Sequence, residues 1–121
     1  MRITKRNLDD KEIALVNSDE ILISNVQSAL DLMATITYET GCALMIINKE
    51  AISEEFFDLK TKIAGDILQK FVNYKFRIAI VGDFSGYTSK SLRDFICESN
   101  RGRDIFFLPD QEQAVEKLTC A

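Results

Sequence analysis

Apolar positions along the chain fall into two alternating rhythms. Short runs of β-branched, aromatic and aliphatic residues recur at 13–17 (IALVN), 42–48 (CALMIIN), 76–83 (FRIAIVGD) and 104–108 (DIFFL), the length of buried strands. Between them lie stretches with a helical period. In SNVQSALDLMATITYETG the residues Val26, Ala29, Leu30, Met33 and Ile36 share one helical face, Ser24 and Gln27 have capping-box spacing, and Gly41 is placed for a left-handed stop. A second helical face runs through Leu59, Ile63, Ile67, Leu68 and Phe71, with Asp58 or the earlier Ser53 as its cap. A third carries Leu92, Phe95, Ile96 and Ser99, and a last helix opens with the Asp110–Gln113 pair. At the start, RITKRN (2–7) reads as a short polar edge strand and LDDKE as a turn, forming a hairpin with 13–17.

The resulting order is β-β-α-β-α-β-α-β-α. A strand–helix–strand unit makes its two strands parallel. The expected fold class is α/β: a small mixed, largely parallel sheet with helices over it, in one domain spanning 1–121. Strands near 42–48, 76–82 and 104–108 are expected as buried parallel neighbours, because they are apolar on both faces. Helices starting near 25, 59 and 89 are expected to pack on them. Phe56 and Phe57 stand out, since one face of a regular element can hardly bury both. Either both are buried in a loop or one contacts a neighbouring strand or a partner.

Composition narrows the function. With 121 residues, 46% of them hydrophobic, the chain can build a real core. The net charge of −4 argues against nucleic acid as a main partner. The longest apolar run, CALMII, is far below the ~20 residues that cross a bilayer, and MRITKRNLDDKE lacks the apolar core of a signal peptide. A cytoplasmic protein with no membrane role is expected, with Cys42, Cys97 and Cys120 as reduced thiols. Histidine is absent, which removes Ser-His and Cys-His nucleophile systems and His-ligated metal sites. No metal site, cofactor or enzymatic activity is expected.

Two segments carry candidate chemistry. VGDFSGYTSKSLRDF leaves a strand and enters a helix, where free backbone N–H groups can hold an anion. Its candidate ligand- or anion-binding residues are Asp83, Ser85, Gly86, Thr88, Ser89 and Lys90. A Walker A loop is excluded, since Gly86 is followed by Tyr87, Thr88 and Ser89 before Lys90. The alternative reading is structural: Thr88 or Ser89 as a helix cap and the glycines as turn residues. Asp58, Lys60 and Thr61 are the second set, either a cap or an exposed helix start for partner docking.

The layout resembles the STAS fold of anti-sigma-factor antagonists. FFDLKTKIAGDILQKFVNYKFRIAIVGD has the shape of that family's central unit, with Asp58 at the expected helix opening, Gly65 further in and IAIVG as the next strand. RDIFFLPDQEQAVEKL resembles its closing strand and helix. In true antagonists a phosphorylated serine directly follows the Asp. Here Leu59 and Lys60 stand there and Thr61 is the nearest hydroxyl, so the phospho-switch is not carried over. DEILISNVQSALDLM and the stretch from Phe56 to Phe107 resemble, more closely, a bacterial family known only as a domain of unknown function. The expectation is a non-enzymatic regulatory or protein-interaction module. Its partner would be another protein, with self-association a second option. The alternative is a small-molecule, nucleotide or anion binder using Gly82–Ser91.

Overall fold

A computed structural model describes residues 1–8 and 10–120. Five strands form one sheet in sequence order: β1 (Arg2–Leu8), β2 (Lys11–Asn17), β3 (Leu44–Asn48), β4 (Arg77–Val81) and β5 (Ile105–Leu108). β1 and β2 pair antiparallel as the predicted hairpin, and β2 to β5 are parallel neighbours. Within the predicted turn, Asp9 lies outside the described residues and Asp10 has a left-handed backbone, φ 65°. The helices are α1 (Val26–Thr40), α2 (Ile63–Asn73), α3 (Lys90–Arg101) and α4 (Gln111–Cys120). The fold is α/β, as the hydrophobic pattern implied.

Side chains alternate across each strand, so the sheet has two cores. Ala14, Val16, Met45, Ile47, Ile78, Ile80 and Phe107 face α1, α2 and α3. Ile13, Ile46, Ala79, Phe106 and Leu108 face α4, which contributes Ala114, Val115 and Leu118. Three helices therefore cover one face and a single helix part of the other.

Local signals place most helix ends. Gly41 ends α1 at φ 71°, its N–H donating to the Thr37 carbonyl. Ser89 caps α3 by accepting from the Leu92 N–H at 3.2 Å. Asp110 accepts from the Gln113 N–H at 2.9 Å. The α1 box sits one residue later than predicted. Asn25 and Ser28 exchange the capping bonds, at 2.8 Å and 3.0 Å, while Gln27 reaches along the helix to Asp31. An extended Asn25, φ −155° and ψ 179°, aims its amide oxygen at the Ser28 N–H.

The larger departure is at 49–62. No helix starts at Leu59; the chain makes three 3-10 turns, Lys49–Ala51, Glu54–Phe57 and Leu59–Thr61. Ser53 and Asp58 cap the second and third turns, so neither caps α2. Lys62, at φ 65°, breaks the third turn from α2. Both Phe56 and Phe57 are buried. Adjacent side chains diverge by about 120° in a 3-10 turn, and both are buried because separate segments cover them, Phe107 over Phe56 and Phe84 with Tyr87 over Phe57.

The β5 edge is closed by a side chain. Asn100 of α3 donates to the Phe107 carbonyl at 3.0 Å and accepts from the Phe107 N–H at 2.7 Å. It replaces a missing neighbour strand. Replacing Asn100 by alanine should cost roughly 2 kcal/mol in urea unfolding, since two hydrogen bonds vanish and the strand groups are exposed. Light scattering should then show concentration-dependent association through the opened edge.

Candidate functional site

Loops at the carboxyl ends of the parallel strands are stitched together first by the Asn48 side-chain amide and then by backbone groups. The Ser18 N–H donates to Asn48 Oδ1 at 2.9 Å, and Asn48 Nδ2 donates to the Ser18 carbonyl at 2.7 Å. Beyond this, Leu22 and Ile23 donate to the Ala51 carbonyl and Ser53 donates to that of Ile23. The exits of β2 and β3 are thus tied before the chain turns away.

An aromatic cluster then locks the β4–α3 loop onto the 3-10 turns. Phe57 stacks on Tyr87 at 5.3 Å between centroids and lies 6.0 Å from Phe84. Phe84 meets Phe107 edge-on at 5.6 Å. Hence the loop 82–87 is exposed only at Asp83, Ser85 and Gly86; Phe84 and Tyr87 turn inward.

Lys49 lies across this cluster, its side chain 19% exposed. Its Nζ stands 5.0 Å above the Tyr87 ring centroid and 5.7 Å above that of Phe57, distances suited to cation–π attraction. Glu54 accepts from Tyr87 Oη at 3.0 Å and lies 3.5 Å from Lys49 Nζ. Chiefly the Tyr87 phenol oxygen, and then Glu54, hold the Lys49 ammonium above its ordinary pKa against the burial that opposes it. Burial is the main cause of the raised Tyr87 phenol. Gly82 exists for this strut: a Cβ there would sit 2.6 Å from Lys49 Cβ.

The predicted anion-binding residues are placed together at the strand-to-helix junction, with Asp83 and Ser85 bonded to each other and Ser89 and Lys90 engaged by residues of α3. Asp83 Oδ1 accepts from both the Ser85 N–H, at 2.9 Å, and Ser85 Oγ, at 2.6 Å. Those bonds hold its carboxyl below the usual range. Ser89 is the α3 cap, and Lys90 pairs with Asp94 at 2.7 Å. Gly86 and Thr88 are exposed, and a Cβ at Gly86 would meet nothing. Asp58, Lys60 and Thr61 form an exposed turn: Asp58 accepts from the Lys60 N–H, and Thr61 Oγ1 donates to the carbonyls of Glu55 and Asp58. Among the described residues no three Cys, Asp or Glu side chains gather into a metal-holding group.

A different feature escaped the sequence reading. Leu30, Met33, Ala34, Thr37 and Tyr38 of α1, with Tyr74 and Phe76 after α2, line an apolar groove of about 510 Å³. Tyr38 is 91% exposed and Tyr74 62% exposed. Leu30, Ala34 and Tyr38 repeat every fourth residue beside the core stripe of Ala29, Leu32, Met33 and Ile36. That second stripe was the available signal.

The chain belongs to the family described as a domain of unknown function, DUF4180, whose match covers residues 8–118. No curated protein matches the chain, and no solved structure does. Among the described residues no helix is long and apolar enough to cross a membrane.

Two outcomes test the Lys49 strut. Gly82→Ala should destabilise by roughly 1–3 kcal/mol through overpacking. Because the clash is with Cβ, the penalty should persist in a Lys49→Ala background and shrink in Lys49→Gly, as a double-mutant cycle in urea would show. The second outcome concerns pH. Lys49 and Tyr87 both hold their protons more tightly folded than unfolded, so their contribution is complete below their ordinary values. It is lost as pH rises through the raised folded ones. Stability should fall above about pH 10. Urea midpoints across this range should fall less for Tyr87→Phe than for the unsubstituted protein.

Proposed function

We propose that this chain is a non-enzymatic regulatory or protein-interaction module of STAS-like layout, working in a bacterial cytoplasm, with the α1 groove as its docking surface. The observation carrying this reading is Tyr38, 91% exposed at the mouth of an apolar groove that no charged residue lines. Tyrosine offers a large contact area and a polar tip at small entropic cost, and is enriched where interfaces concentrate their binding energy. Exposed apolar concavities of this kind mark interaction sites. The bonds between Asp83 and Ser85, and those of Ser89 and Lys90 to Leu92 and Asp94 of α3, weigh in the same direction, since they occupy groups that an anion would need. The strand and helix order supports the STAS-like description, and the three unpaired cysteines, Cys42, Cys97 and Cys120, agree with a reducing compartment.

A photo-crosslinking residue placed at position 38 in cells should capture one protein, whereas the same probe at position 60 should not. With that protein purified, Tyr38→Ser with Tyr74→Ser should weaken binding at least about tenfold. Thermal unfolding should stay within about 0.5 kcal/mol of the original stability, because both side chains are exposed. Unchanged affinity of the double variant would sink the docking surface. A crosslinked species made of two copies of this chain would convert the reading to self-association. Stabilisation by inorganic phosphate or ATP, lost in Ser85→Ala with Lys90→Ala, would favour the anion-binding alternative instead.

A further inference from the structure

A second cavity lies on the other face of the sheet. The polypeptide leaves β4 toward α3 on one face and leaves β5 toward α4 on the opposite face. Connections that diverge in this way open a crevice at the carboxyl ends of parallel strands, where α/β sheets bind ligands. α4 packs over β3, β4 and β5, and beside it a cavity of about 280 Å³ extends toward the edge hairpin. Leu15, Ile46 and Val81 form its apolar part, and Arg2, Asn17 and Gln111 supply polar groups. Strand register explains the grouping: Arg2 is opposite Asn17, and Thr4 opposite Leu15. These positions alternate onto the α4 side of the sheet.

We propose that this cavity binds a small monocarboxylate with a short hydrocarbon chain. Three features of the cavity select that chemistry. The Arg2 guanidinium has no ion-pair or side-chain hydrogen-bond partner among the described residues, and no carboxylate lines the cavity. Asp19 shares an adjoining depression with Arg2 without pairing with it. A guanidinium matches a carboxylate in two parallel hydrogen bonds. The side-chain amides of Asn17 and Gln111 are likewise without partners among the described residues, whereas the Asn48 amide is spent on Ser18 and Glu50. Leu15 and Val81, half-buried on this face, give a hydrocarbon chain a surface to cover. The volume, at the lower edge of the roughly 300–1,000 Å³ of pockets for drug-sized ligands, suits a small ligand. This site shares no residue with the α1 groove, so it stands or falls independently of the docking reading.

The test uses octanoate as probe, followed by amide chemical shifts and titration calorimetry on the whole chain. Shifts should concentrate at Arg2, Leu15, Asn17, Ile46, Val81 and Gln111. Octylammonium and acetate should bind at least about tenfold more weakly, the first lacking the negative charge and the second the chain. Arg2→Gln, a surface change that leaves both cores intact, should weaken octanoate about tenfold, and Val81→Trp should abolish binding by filling the cavity. If Val81→Trp proves unfolded, Leu15→Gln provides the second variant and should weaken octanoate relative to acetate. Equal affinity for octylammonium, retention of binding in Arg2→Gln, shifts centred on the Tyr38 groove, or no binding at all would each overturn the proposal.

Discussion

Burial of Phe107 is the constraint around which the functional end of the molecule is arranged. Its ring meets Phe56, Phe84 and Phe95, at centroid distances of 6.5, 5.6 and 6.0 Å. These partners come from a 3-10 turn, the β4–α3 loop and α3. Its backbone N–H and carbonyl are both taken by Asn100. One residue on the sheet's edge strand thus gathers three connections and has its own polar groups satisfied. Aromatic pairs of this kind add to area burial by roughly 0.5–1.5 kcal/mol each. Unpaired strand groups at that edge would invite another strand.

The arrangement explains why the β4–α3 loop is shaped as it is. A phosphate cradle needs several backbone N–H groups and a cation left free. Here Phe84 and Tyr87 pull the loop down onto Phe57, Asp83 takes the Ser85 donors, and Lys49 lies across the aromatic faces. The nearby lysine on α3 is neutralised by Asp94 one turn along. The same glycine that looked like a turn residue, Gly82, is required by the close passage of the Lys49 stem.

Unequal coverage of the sheet distributes the accessible surfaces. Three helices close one face, and the seam between α1 and the end of α2 is imperfectly filled, which leaves the Tyr38 and Tyr74 groove. One ten-residue helix serves the other face, and the sheet beside it stays reachable from solvent. Both concavities therefore follow from the helix count on each side and from where each helix crosses.

Features governed by short-range rules were legible along the chain. Alternating apolar runs set the strand and helix order and the parallel sheet; Gly41, Ser89 and Asp110 mark helix ends because a glycine's left-handed backbone and a cap's side-chain bond are local. Even there, the α1 box shifted from Ser24–Gln27 to Asn25–Ser28, since several neighbouring polar residues can cap and the chain direction chooses. Tertiary structure alone decided the rest. Residues 49–62 became 3-10 turns because Phe56 and Phe57 find partners far along the chain, at Phe84, Tyr87 and Phe107. Asp58 capped a turn instead of α2 for the same reason. The Tyr38 groove and the Arg2 cavity depend on which stripes the neighbouring helices leave uncovered. The Leu30, Ala34 and Tyr38 stripe is visible along α1, but that it stays uncovered is fixed by packing between segments distant in sequence.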